Sequence, residues 1–286
     1  MGIYSILFFW VWIILSTLNS TVLAKEYTPE ELKQAVKELA ERAEANMVLI
    51  KGGEFWMGDQ DPNDPNISSS RKLSRVKHRV KLDDYLLDKF EVTIEDFNIF
   101  KQVNNIILSE EKYFKYVIQR EPPKSPVKYV SWENADQYCH WVGTIISKKC
   151  RLPTEAEWEF AARSRGKDVK YATNDGTAKP GINVDFFTEK SYQPFAFPVE
   201  KFSPNSIGIY GMEGGRSEWV NDWYDEGYYK SSPVDNPKGP DKGVKKVYRG
   251  SDRNGDSNLI YLYRRYTNDI NYSSRSIGFR CSCKVK

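Results

Sequence analysis

Four cysteines, two histidines and a few groups of carboxylates are the side chains of this sequence best suited to covalent or metal chemistry. The cysteines are Cys139, Cys150, Cys281 and Cys283. An even count in an exported chain points to two disulfides. Zinc is the competing use, but Cys281-x-Cys283 lacks the spacing of a zinc knuckle, and Cys139 and Cys150 stand well apart. His78 and His140 are too few for a mononuclear iron centre built on a cluster of imidazoles. His140, beside Cys139 on an expected helix, reads as a surface or satisfied core residue. No nucleophile elbow accompanies a Ser-His-Asp set. Asp59, Asp61 and Asp64 could suggest calcium, but their spacing fits no EF-hand loop. The Asp-, Asn-, Pro- and Ser-rich stretch 59–75 reads as a solvated loop.

The elements that must position these residues follow from pattern. Residues 3–15 are apolar apart from Ser5, and Val22-Leu23-Ala24 closes the polar stretch behind them. The run is shorter than the ~20 residues a membrane helix needs, so residues 1–24 read as a cleavable secretion signal. A periplasmic or secreted protein, with no membrane span after cleavage, is the expectation. A net charge of +3 with 28% charged residues gives no nucleic-acid footprint. Aromatic residues reach 14%, enough to build cores and ligand surfaces from rings.

Thr28, Pro29 and Glu31 open a helix over 28–46, with Leu32, Val36, Leu39 and Ala43 on one face. Residues 47–57 read as a strand pair turning at Gly52-Gly53, and 78–88 as one strand. A helix starts at Thr93 or Asp96 and runs to about Asn104. The charged, Pro-containing stretch 109–128 reads as a surface insertion. Ser131 caps a helix over 132–148, and Thr154 with Glu157 caps another over 155–165. Loops and short strands follow Gly166. The domain plan is thus 1–24 signal, 25–46 amphipathic helix, 47–286 one domain.

Several segments then line up in order. They include Gly52-Gly53-Glu54-Phe55-Trp56-Met57-Gly58, Phe90-Glu91-Val92-Thr93 and Pro126-Val127-Lys128-Tyr129-Val130-Ser131-Trp132. Arg151-Leu152-Pro153-Thr154-Glu155-Ala156-Glu157-Trp158-Glu159 follows, then Gly208-Ile209-Tyr210-Gly211-Met212, Glu218-Trp219-Val220, Arg249-Gly250-Ser251 and Gly278-Phe279-Arg280-Cys281. Over residues 47–283 the chain resembles the sulfatase-modifying factor family, whose best-known members are formylglycine-generating enzymes. The resemblance implies an irregular α+β fold related to C-type lectins, with little regular secondary structure. From the residues themselves, Arg151 and the acids of 155–159 read as a buried charge network at a helix start. Trp132, Trp141, Trp158, Trp219 and Trp223 read as an aromatic core.

The resemblance also implies chemistry. Formylglycine-generating enzymes oxidise a sulfatase cysteine with copper held by two cysteines, because Cu(I) is soft and prefers thiolate. Those cysteines lie between the Gly-Ser element and the final Gly-Phe-Arg-Cys. Here residues 252–277 hold none, and no cysteine occurs from 152 to 280. Copper is therefore not expected, and no cofactor is required. The family pairing implies a Cys139–Cys281 disulfide, which leaves Cys150 and Cys283 as the second pair. Calcium in the family uses an Asn in a Gly-Asn-x-Trp-Glu-Trp element and a second site before it. Here Gly215 replaces that Asn, with Arg216 beside it; Asn183 and Val184 fit the second site, but its downstream acid is lost near Ser191. Some exported relatives act in siderophore chromophore maturation without the cysteine pair. A comparable pocket here would use Glu218, Ser251, Asp252, Asn254 and Arg265, unless these residues only tie loops together. Two functions are left: a binding or scaffold module for a peptide, glycan or protein, and an enzyme modifying an exported peptide or small molecule without cysteine-bound metal.

Overall fold

Thr28 turns the chain into its first helix. Its hydroxyl accepts from Glu31 N, and the Glu31 carboxylate accepts in return from Thr28 N at 2.9 Å. Two donors that the helix start would leave free are thereby satisfied. Helix α1 (Pro29–Ala45) buries Ala35 and Leu39 and lays Leu32, Val36 and Ala43 against the body. Arg42 pairs with Asp96 at 2.7 Å. Residues 25–46 are thus packed onto the domain. The structure, a computed structural model, describes residues 25–58, 76–179, 181–184, 197–250 and 262–285. The expected signal and the loop 59–75 lie outside them.

The expected hairpin at 47–57 is replaced by a different pairing. Strand β1 (Met47–Ile50) and strand β2 (Gly53–Met57) do not pair with each other. The expected single strand over 78–88 is likewise two, β3 (His78–Leu82) and β4 (Tyr85–Asp88). β1 runs antiparallel to β4, and β2 antiparallel to β3. Both chain segments change sheet at one corner. Asp84 accepts from Gly52 N at 2.9 Å and from Lys51 Nζ at 2.8 Å there. A Cβ on Gly52 would collide with the Leu82 carbonyl oxygen. Gly52 serves close passage of two backbones rather than a tight turn.

Helix α2 (Ile94–Val103) starts at Thr93, whose side chain accepts from Asp96 N. The stretch 109–128 is not a surface insertion. It holds helix α3 (Glu111–Ile118), whose Phe114, Val117 and Ile118 are buried. Those three positions follow helical spacing, and Phe114 meets Phe97 edge-on at 5.7 Å. Helix α4 (Trp132–Ile145), capped by Ser131, ends short of 148. Strand β5 (Cys150–Arg151) leads to α5 (Glu155–Ala162), which Thr154 and Glu157 cap reciprocally. It stops before 165 because Ser164, Arg165 and Gly166 all take positive φ.

Strand β6 (Ser217–Trp223) is followed by the short helix α6 (Tyr228–Ser231), β7 (Lys246–Arg249), β8 (Arg265–Asn268), β9 (Ile277–Gly278) and β10 (Ser282–Lys284). Two four-stranded sheets result, ordered β1-β4-β10-β5 and β8-β7-β6-β9, with β2-β3 as a separate pair. The architecture is α+β. Trp158 and Trp219 are wholly buried, while Trp132, Trp141 and Trp223 line the core's margin. Both expected disulfides are present. Cys139 on α4 joins Cys281, with Cα atoms 5.5 Å apart. Cys150 joins Cys283, its directly opposed partner across β5 and β10.

Candidate functional site

The Arg-Leu-Pro-Thr-Glu run assembles a buried ion lattice. Arg151 grips both oxygens of Glu157 at 2.7 Å. Glu155, one residue into α5, is held by Arg265 at 2.6 and 2.8 Å and by Arg249 at 2.9 Å. Glu159, one turn on, takes Arg249 at 2.7 Å and Arg163 at 2.9 Å. Burial alone would raise both carboxyls, but the facing guanidinium groups outweigh it and hold Glu155 and Glu159 below their ordinary values. Asp222 accepts from Glu155 N at 2.8 Å. Burial, then the Glu155 charge, pushes its carboxyl up to about 7.

A second buried pair sits beside this lattice. Glu218 accepts from Arg280 at 2.6 and 2.7 Å and from Trp158 Nε1 at 2.9 Å. Trp158 links the two networks, since Arg249 lies over its ring at 5.3 Å. Glu218 and Arg265, both expected to line a pocket, are therefore sealed in separate ion networks. Their expected companions Ser251, Asp252 and Asn254 lie outside the described residues.

An open cavity lies elsewhere, between the start of the Glu91 segment and the Gly211–Arg216 loop. It offers about 50 Å³ and is lined by Glu91, Phe197, Phe202, Met212, Gly215 and Arg216 among others. Glu91 accepts from Arg216 N at 2.8 Å. Its other oxygen sits so close to Gly211 and Gly215 that a Cβ at either would come within 2.7 Å of it. Glycine at both positions lets the loop close over the carboxyl, and Gly211 also takes φ +68°. Burial first, then the Glu218 charge, pushes Glu91 up to about 8. This favours its neutral form near neutral pH. Burial likewise pushes Asp88 up to about 7, although it accepts from Cys281 N at 2.8 Å and lies near the Arg280 charge. Glu91 was visible in sequence only as part of Phe-Glu-Val-Thr, and Arg216 only as a cation at a lost calcium position. The signal available was Gly211-Met212-Glu213-Gly214-Gly215, a glycine-rich run that permits close approach.

The metals implied by the family meet unsuitable donors. All four cysteines are buried in disulfides, so no thiolate pair exists to hold Cu(I). Asn183 Oδ1 accepts from Lys179 N at 2.7 Å, and Val184 O accepts from Gly181 N at 2.8 Å. The Asn183 amide donates to Asn174, Asp175 and Thr177, while Lys179 Nζ pairs with Asp175 at 2.6 Å. A lysine supplies the cation of this loop; Ser191 lies outside the described residues. At the other calcium position Gly215 offers no side-chain oxygen. Among the described residues no group of three His, Cys, Asp or Glu side chains is placed to hold a metal. His140 is exposed on α4, and His78 packs on Tyr229 at 4.4 Å.

Comparison with known proteins places this geometry. The sulfatase-modifying factor enzyme 1-like domain matches residues 33–285. The chain is 31% identical over 255 residues to the serine/threonine-protein kinase pkn1 of Chlamydia pneumoniae, covering 84% of this chain and 38% of the kinase. It thus spans well under half the length of that relative. It is 28% identical over 292 residues to the formylglycine-generating enzyme of Streptomyces coelicolor, covering 84% of this chain and 90% of the enzyme. The structure of PvdO from Pseudomonas aeruginosa superposes with a TM-score of 0.70 at 20% identity, over 84% of this chain and 94% of PvdO. At that identity the likeness is one of fold.

Proposed function

The chain belongs to the sulfatase-modifying factor family, and from that premise we propose that it is an exported, copper-free member acting as a binding or scaffold module for a peptide, glycan or protein partner. One observation carries this reading: the sequence has four cysteines, and all four are closed into Cys139–Cys281 and Cys150–Cys283. Copper oxidation in this family needs two free thiolates, and none remains. The same bridges support export, because such bonds persist outside the reducing cytosol. A mature chain beginning at Lys25, in the periplasm or secreted, completes the reading. Among the described residues no helix is long and apolar enough to cross a membrane. Calcium plays no part in the proposal, since Lys179 already answers Asp175.

The test is oxygen uptake by purified protein incubated with copper and a sulfatase-type cysteine peptide, with the peptide's mass followed in parallel. No uptake and no mass change are expected. Turnover with stoichiometric copper would overturn the module reading; turnover without copper would replace it by the other class, an enzyme acting without cysteine-bound metal.

A further inference from the structure

Buried arginines in this protein come in two kinds. Arg163, Arg249, Arg265 and Arg280 each donate to a carboxylate. Arg216 is buried almost as deeply, at 6% exposure, yet its guanidinium meets no protein acceptor among the described residues. Its one hydrogen bond to Glu91 comes from the backbone. Its nitrogens are not sealed in the interior, as Arg249 Nε is, and the residue lines the cavity described above. Leaving a charge unpaired in such a place is costly, and an anion in the cavity would remove the cost.

The surroundings narrow the anion. A cavity of about 50 Å³ exceeds the roughly 10–15 Å³ that one water requires, and suits a group the size of a carboxylate. Arginine's planar fork matches the two oxygens of such a group. Gly278 leaves room for the Arg216 stem, since a Cβ there would come 3.4 Å from Arg216 Cβ. Glu91, closed under the Gly211–Gly215 loop, accepts from Arg216 N and so fixes the backbone that carries the guanidinium. Phe202 and Met212 give the cavity an apolar side that suits a hydrocarbon side chain, and Lys201, whose ammonium lies over the Phe197 and Phe202 rings, adds a second positive charge to its wall.

We propose that the cavity between Glu91 and Arg216 is a carboxylate subsite that takes the free C-terminus of a peptide ending in an apolar residue. This rests on the reading of the chain as a binding module and names its ligand class. Arg216 forms the ion pair, Lys201 adds a second cation at the wall, and the terminal side chain packs against Phe202 and Met212.

The test uses the full mature chain and three probes followed by calorimetry or NMR: N-acetyl-phenylalanine, N-acetyl-phenylalaninamide and N-acetyl-glutamic acid α-amide. The first is expected to bind at one site, about tenfold or more tighter than its amide. Arg216→Gln should bring the acid down to the level of the amide, while Arg216→Lys keeps part of the preference. A thermal melt confirms that each variant is folded. Equal binding of acid and amide, no binding of the acid, or an unchanged preference in Arg216→Gln would overturn the subsite. Tighter binding of the glutamic acid amide would overturn the C-terminal assignment. None of these outcomes touches the absence of copper chemistry, which oxygen uptake tests separately.

Discussion

Arg249 and Arg216 are both buried residues, and the protein treats them in opposite ways. Arg249 lies between Glu155 and Glu159, with a carbonyl from Leu262 added at 2.8 Å. Burial alone would lower its pKa, but the facing acids hold it above its ordinary value. Arg216 lies beside Glu91, whose carboxyl burial pushes toward its neutral form, and its fork meets no acceptor among the described residues. The first arrangement is complete in itself and fixes α5 to β7 and β8. The second is complete only with something added. A buried charge is therefore informative about function chiefly when the protein leaves it unanswered.

That contrast can be broken by substitution. The largest effect is expected at Arg249→Met, which takes from Glu155 and from Glu159 one of the two guanidinium partners each has. A loss of about 3–5 kcal/mol in denaturant unfolding is expected. A loss near zero would show that the lattice is ornamental. Next comes the covalent frame around the lattice. Replacing Cys150 and Cys283 together by alanine should cost about 2–4 kcal/mol, by releasing the unfolded chain from a long loop.

The cleft side of the comparison responds to pH. Glu91 is raised from 4.5 to about 8 in the folded protein, so folding favours its protonated form. Its contribution to stability is full below the ordinary carboxyl range and is lost as pH rises through about 8. The groups facing it are Glu218, Arg280 and Arg216, with Asp88, raised to about 7, adding to the same trend. Unfolding free energy should therefore fall by about 1 kcal/mol per pH unit between the ordinary carboxyl range and about pH 8, and level off above it. Glu91→Gln should flatten that slope in urea titrations taken at several pH values. A slope unchanged by Glu91→Gln would place the titration elsewhere. The smallest effect is also the one of opposite sign. Arg216→Met removes an unanswered cation and should raise stability by about 1 kcal/mol, read as a higher unfolding midpoint. A loss comparable with that at Arg249 would mean that Arg216 has a partner in the folded chain.

The two regions also differed in how far they could be read from sequence. The lattice is built largely on one contiguous run, where Thr154, Glu157 and Arg151 carry capping and pairing chemistry on neighbouring positions. Helix starts at Thr28, Thr93 and Ser131 were legible for the same local reason. The cleft is assembled from Glu91, the Gly211–Arg216 loop and Phe197, which are far apart in the chain and meet only through tertiary packing. Strand partners failed similarly: Gly52-Gly53 looks like a turn locally, yet its role is to pass under Leu82 and Asp83. Charges on Glu110, Glu111, Lys112 and Lys115 obscured the helical spacing of Phe114, Val117 and Ile118. Glu218 and Arg265 were recognised as polar residues of consequence, but sequence alone could not tell a sealed ion pair from a ligand contact.

The central claim is that the fold of the family is kept here while the thiolates that hold its copper are locked away. Thiol titration of the protein in denaturant without reductant, combined with Cu(I) stoichiometry on the native chain, tests it most directly. No reactive thiol and no tightly bound copper are predicted. Two titratable thiols with one copper per chain would contradict the account.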